Sequence, residues 1–153
     1  TTLFNFVVRL LILIPSLYFF HLKGMYTFDI KSLLLFPIGV ISIMCLGYTV
    51  GLLLTPIGIL YTDVLMSIQM LMMFWMFVSP VVITMPTIGN VANVMRINPV
   101  TPLIETTRSW LIGINSNYLN EFFIVFGCSI IFLFVAWILY RVSLPHVVAR
   151  IGM

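Results

Sequence analysis

From Phe122 to Tyr140 the chain reads FFIVFGCSIIFLFVAWILY, with Asn120 and Glu121 immediately before it and Arg141 immediately after. Crossing a hydrocarbon core about 30 Å thick takes about 20 mostly apolar residues in a helix, and this uncharged stretch meets that requirement. Aromatic residues at both of its ends suit the two membrane–water interfaces. The whole chain has the same character, since 62% of its 153 residues are hydrophobic and only 7% are charged. Soluble domains carry about 25% charged residues, and a water-exposed domain with so few could not cover its surface with polar groups. The composition therefore asks for lipid as the solvent.

Three further runs have spanning length. Leu3 to Leu22 ends at His21, Lys23 and Gly24. Leu33 to Leu60 is longer than a perpendicular span needs, a surplus that fits tilt together with Pro37 and Pro56, which should bend or end the helix near its ends. Val64 to Ile83 closes at Ser79-Pro80. Between this run and Phe122 lies a segment, Thr84 to Tyr118, too polar and too interrupted by proline to cross lipid, yet too apolar for a solvated loop.

That segment reads as two short helices. In Ile88 to Ile97, Ile88, Val91, Ala92 and Met95 fall on one stripe opposite Asn90, Asn93 and Arg96. Asn98-Pro99 stops it. The second helix starts with Thr101 as N-cap and Pro102 in the first helical position, and ends at Gly113. Glu105 and Arg108 lie three apart on it, suited to an i,i+3 pair. Helices of about ten residues cover roughly 15 Å, half the hydrocarbon thickness, so they dip in and return or lie along the interface. Irregular backbone at that depth is tolerated only where protein buries it or water lines it, which points to a pore or cavity and hence to transport. The expected fold is all-α and integral to the membrane, with spans at about residues 3–22, 33–60, 64–83 and 122–140, a re-entrant or interfacial hairpin at about 84–118, and a tail at 141–153.

Orientation follows from basic residues near span ends. Arg141 and Arg150 favour a cytoplasmic C-terminus, which places the hairpin outside and the Tyr61-Thr62-Asp63 turn inside; Lys23 and Lys31 pull mildly the other way. The absence of an initiating Met and of a signal-peptide pattern leads us to expect further sequence upstream of Thr1.

The region from Leu46 to Gly113 resembles the permease subunits of ABC-2 type exporters that move O-antigen, capsular or teichoic-acid polymers. The glycine-rich span Gly47-Tyr48-Thr49-Val50-Gly51 runs into Tyr61-Thr62-Asp63-Val64, similar to the family's Tyr-Arg-Asp-Val with Thr62 in place of arginine. Phe74-Trp75-Met76-Phe77-Val78-Ser79-Pro80-Val81 resembles its aromatic-then-Ser/Thr-Pro-Val segment, and Asn98-Pro99 through Ile104-Glu105 resembles its Asn-Pro-x-x-x-x-Ile-Glu, with Arg108 and Gly113 following. The resemblance implies the C-terminal part of a six-span permease in the plasma membrane or bacterial inner membrane. It further implies that two permease copies pair with two separate ATP-binding subunits, and that the paired spans pass a lipid-diphosphate-linked glycan. The hairpin would then be the outer gate. An ABC-2 permease for a small molecule or lipid, or a non-transport membrane subunit of a glycan or lipid pathway, are the alternatives.

No Walker A loop precedes Lys23 or Lys31, so we expect no ATP site, no cofactor and no enzymatic chemistry in this chain; ATP and magnesium would sit on the partner. The scattered charges of the +3 chain form no basic stripe, which argues against nucleic acid. Cys45 and Cys128 sit in apolar runs and are expected to be buried, and no cluster of His, Cys, Asp or Glu has metal-ligand or catalytic spacing.

The residues singled out each carry a functional and a structural reading. Tyr61 and Asp63 sit where an ATPase subunit could touch a cytoplasmic turn, while Asp63 could equally N-cap the next span. Arg9, about 9 Å into its span, could face a channel or snorkel to the interface. Phe74, Trp75 and Phe77 could line a channel and stack on sugar rings, or face lipid and pack. Asn98, Pro99, Glu105 and Arg108 could form the gate, or Glu105 and Arg108 a local helical pair. Gly47-x-x-x-Gly51 and the stripe Met66, Met70, Met73 read as helix-packing signals.

Overall fold

The computed structural model describes residues 30–81 and 90–151, with residues 4, 5, 8, 9, 11–13, 15 and 19 before them. All regular structure among these residues is helical. The described positions between 4 and 19 are helical; the remainder of the Leu3 to Leu22 run, the His21 loop, Ile88 and the stretch 82–89 lie outside the described residues.

Five helices follow: α1, Ile30–Leu60; α2, Thr62–Val78; α3, Asn90–Ile97; α4, Val100–Ile112; and α5, Leu119–Ile151. Two of them, α1 and α5, are long and apolar enough to cross a membrane. At 1.5 Å per residue they extend roughly 46 and 50 Å, while α2 covers roughly 26 Å, α3 roughly 12 Å and α4 roughly 20 Å.

Several boundaries differ from the sequence-based expectation. Neither Pro37 nor Pro56 ends α1, which continues four residues past Pro56 to Leu60. The last span was expected at 122–140 with a tail from 141, yet the helix of α5 continues through Arg141 and Pro145 to Ile151. A proline deletes one backbone bond, and the long apolar helix on its N-terminal side carries it. α2, by contrast, stops at Val78, at the expected Ser79-Pro80 close, because Ser79 precedes Pro80 and is held in extended backbone, φ −98° and ψ 148°.

The direction of packing decides the topology. Ile43 and Leu46 of α1 join the cluster around Phe122 at the start of α5, Thr49 Oγ1 donates to the Ser129 carbonyl at 3.3 Å, and Tyr140 shares a cavity wall with Leu52 and Thr55. Residue numbers rise together, so α1 and α5 run parallel. α2 turns back from α1 at Tyr61, with Leu65 against Gly58 and Trp75 level with Leu46 and Val50. The end of α2 and the start of α5 therefore lie at the same end of the molecule, and α3 and α4 join them without a net crossing.

α4 is the most enclosed element. It lies between α1 and α5 with Thr101, Pro102, Leu103, Thr106, Thr107 and Trp110 buried. The Trp110 and Phe122 rings meet edge-on with centroids 5.0 Å apart, and Leu103 completes the cluster. Gly39 makes this approach possible: a Cβ there would overlap Thr107 Oγ1 and come within 2.8 Å of its Cγ2. By contrast, a Cβ on Gly47 or Gly51 would meet nothing within 4 Å, so the close helix contact expected at that pair occurs at Gly39 instead. The methionine stripe likewise finds no cover among the described residues, with Met66, Met70 and Met73 each about two-thirds exposed.

Candidate functional site

The expected gate residues converge on the turn that ends α2. Ser79 is 2% exposed; its Oγ donates to the Trp75 carbonyl at 2.9 Å and accepts from Asn98 Nδ2 at 3.0 Å. Pro80 is buried, and its carbonyl accepts from Arg108 Nη2 at 2.8 Å. Arg108 Nη1 in turn donates to Glu105 Oε1 at 3.3 Å. Asn98, just before α4, and Arg108, within its second half, thus hold one two-residue turn, and Glu105 orients the arginine. We call this arrangement the clasp.

Asn98 has a second task. Its Oδ1 accepts the Val100 amide at 3.1 Å, a turn bond two residues on that satisfies one of the free amides at the start of α4. The helix therefore begins at Val100, with Pro99 in the cap position, and Thr101 is not the N-cap expected from sequence. Thr101 lies inside the first turn and its Oγ1 donates back to the Met95 carbonyl at 2.6 Å, fixing the α3–α4 elbow. The opposite end of α4 stops at Gly113, the one residue with left-handed backbone among the described residues, φ 78° and ψ 25°. Of the predicted stripe on α3, Ala92 and Met95 are buried while Asn93 and Arg96 are exposed.

The elbow at Asn98-Pro99 reaches well along α1. Val100 shares a cavity of about 440 Å³ with Leu46, Val50 and Trp75, and Pro99 shares one of about 330 Å³ with Thr49, Trp75 and Ser129. It lies level with the middle of the apolar run from Leu33 to Leu60. Both cavities are lined almost wholly by apolar side chains, and Cys128, expected to be buried, is an exposed residue lining the smaller one.

The remaining candidates separate. Trp75 faces both cavities, whereas Phe74 and Phe77, 65% and 56% exposed, turn away from them. Arg9 is exposed and is not joined to the clasp. Tyr61 and Asp63 are exposed at the α1–α2 turn, the full length of α2, roughly 26 Å, from Ser79. The position before α2 is held by Tyr61 without a side-chain bond; Asp63 is not its N-cap but lies in the first turn, where its charge suits the helix dipole.

The sequence reading placed Ser79 and Pro80 as a helix stop and within the Ser/Thr-Pro-Val resemblance, and missed them as the receiving half of the clasp. It also missed the buried hydroxyls of α4, where Thr107 Oγ1 donates to the Leu103 carbonyl at 2.6 Å and Thr106 Oγ1 lies 3.0 Å from Ser116 Oγ. The signal was the density of Ser and Thr in an otherwise apolar segment. Compared with family models, with curated proteins and with solved structures, the chain finds no match.

Proposed function

We propose that the chain is the membrane-embedded part of a permease, with the α3–α4 hairpin as a re-entrant gate latched by the clasp. The observation that carries this reading is the depth of the Asn98-Pro99 elbow. A polar hairpin entering and leaving at one end of the molecule, with its elbow level with the middle of an apolar span, has no place on a lipid-facing surface unless its backbone is buried in protein or lines water. Here its Asn98 and Arg108 side chains hold it to the Ser79 hydroxyl and Pro80 carbonyl at the end of α2, an arrangement that can open without breaking any helix.

The membrane placement rests on α1 and α5 being long, apolar and mostly uncovered, each with only 17% of its spanning window buried; the core helix of a soluble protein would be enclosed. The run from Leu3 to Leu22 and α2 supply the other two of four spans in this reading. α2 then connects the exposed Tyr61-Asp63 turn to the clasp, so a partner acting on that turn loads the latch through this one helix. Together with the resemblance in Leu46 to Gly113, this supports an ATP-driven exporter of lipid-linked surface polysaccharide, with two copies of this chain and separate ATP-binding subunits in the plasma or bacterial inner membrane.

The two largely apolar cavities beside Trp75 favour a second reading, a permease of the same type for a lipid or small apolar molecule. One experiment tests gate and cargo together: Arg108→Gln in the full-length protein, with surface glycan and membrane insertion measured separately. Lost glycan with normal insertion supports the first reading. Normal glycan with altered lipid efflux supports the second, and no change in either export removes the gate.

A further inference from the structure

Away from the clasp, a polar cavity of about 380 Å³ is lined by Arg96, Thr101, Pro102, Asn117, Tyr118 and Glu121. It contrasts with the apolar cavities beside Trp75 because it gathers one cation and one anion that do not pair with each other. Among the described residues, neither Arg96 nor Glu121 makes an ion pair or a side-chain hydrogen bond, and the one salt bridge is Glu105 to Arg108. Each sits at a helix end its charge suits, Arg96 in the last turn of α3 and Glu121 in the first turn of α5. That accounts for their signs. It does not require both to face one cavity and leave each other unpaired.

Its Glu121 wall lies where α5 passes into uninterrupted apolar sequence at Phe122, the level of a lipid headgroup if α5 spans the bilayer, and its Arg96, Thr101 and Pro102 wall reaches deeper, toward the Asn98-Pro99 elbow. We propose that this cavity takes the headgroup of an amine-bearing zwitterionic phospholipid, its phosphate on Arg96 and its primary ammonium on Glu121. A planar guanidinium offers paired donors to phosphate oxygens, and a carboxylate accepts from an ammonium that has hydrogens to donate. A quaternary ammonium has none, so the site separates phosphoethanolamine from phosphocholine. Asn117 on the rim adds an amide able to bond a phosphate or glycerol oxygen. The inference rests on the membrane placement above but not on the cargo.

The test uses the full-length protein, delipidated in detergent and titrated with phosphatidylethanolamine, phosphatidylcholine or phosphatidylglycerol, with occupancy read by native mass spectrometry. A charge-assisted bond at this exposed site corresponds to a preference of about tenfold for phosphatidylethanolamine over phosphatidylcholine. Glu121→Gln removes that preference, and Arg96→Gln weakens all three lipids alike. Both side chains are exposed and unpaired, so neither change disturbs the fold, which circular dichroism checks. Equal occupancy by the ethanolamine and choline lipids, a preference that survives Glu121→Gln, or tightest binding of phosphatidylglycerol would each overturn the proposal. Soluble glycerophosphoethanolamine separates the sources of the headgroup: competition at micromolar concentration assigns the site to a free metabolite and overturns the lipid, whereas failure to compete supports it. Release of the protein from membranes by alkaline carbonate would instead refute the membrane placement itself.

Discussion

A double-mutant cycle on Ser79 and Asn98 tests the clasp directly. Asn98→Ala removes two bonds at a residue only 7% exposed: Nδ2 to Ser79 Oγ at 3.0 Å, and the Val100 amide to Oδ1 at 3.1 Å. Loss of the cap-like bond costs about 1 kcal/mol, and loss of a neutral buried bond about 1 kcal/mol more. Ser79 Oγ keeps its bond to the Trp75 carbonyl, so no orphaned hydroxyl adds to the sum. The total is about 2 kcal/mol. Ser79→Ala leaves Asn98 Nδ2 buried without its acceptor and costs about 1–2 kcal/mol. In the double variant the shared bond is lost only once, so its cost falls short of the sum by about 1 kcal/mol. Unfolding in mixed micelles, followed by far-ultraviolet circular dichroism, gives all three values. Asn98→Asp then isolates the tasks, because it keeps the acceptor for Val100 and loses the donor to Ser79. Single-variant costs that add to within about 0.3 kcal/mol would refute the link between α2 and the hairpin.

Other consequences are independent of that cycle. Gly39→Ala places a Cβ against the Thr107 side chain and destabilises the fold by about 1–3 kcal/mol, part of which Thr107→Ala restores; thermal unfolding of the four variants measures it. Gly47→Ala adds a Cβ that meets nothing within 4 Å, so it stabilises the single chain by about 0.5–1 kcal/mol while weakening any association between copies at that face, as read by cross-linking in membranes. Asp63→Asn, on an exposed first turn, costs about 0.5 kcal/mol or less, yet lowers co-purification of an ATP-binding partner if the Tyr61-Asp63 turn is its contact.

What the sequence made legible was set by local chemistry. The apolar length of 122–140, the stop before Pro80 and the left-handed end at Gly113 each depend on a few neighbouring residues, and they could be read from them. The start of α4 was misplaced for a reason equally physical. Thr101-Pro102 and Asn98-Pro99 both have capping chemistry, and choosing between them requires knowing that the Met95 carbonyl is close enough to claim the Thr101 hydroxyl. The Glu105–Arg108 pair was legible because helical spacing brings the two together. The other half of the arginine's bonding, to a carbonyl 28 positions earlier, was not, since no pattern of residue types announces a backbone acceptor. The glycines failed likewise. Spacing offered Gly47 and Gly51 as the close contact, but only the position of Thr107 selects Gly39.

The uncovered surface has a pattern of its own. The outward face of α2 carries Met66, Met70, Phe74 and Phe77, while Trp75 turns inward and Gly47 and Gly51 leave the wedge between α1 and α2 open. A helix joined to its neighbour at Tyr61 and latched at the far end by two polar links, with an apolar void along its length, is fixed at its ends and free in the middle. Closing such a void costs little, because soft and thioether side chains repack more readily than a jigsaw core. Breaking the far-end links costs more, since it strands buried polar groups. Force applied at Tyr61-Asp63 is therefore met first by movement of α2 into the wedge and only then by release of Ser79 and Pro80. On the permease reading proposed above, the clasp sets the threshold for opening, and Asn98→Ala lowers that barrier.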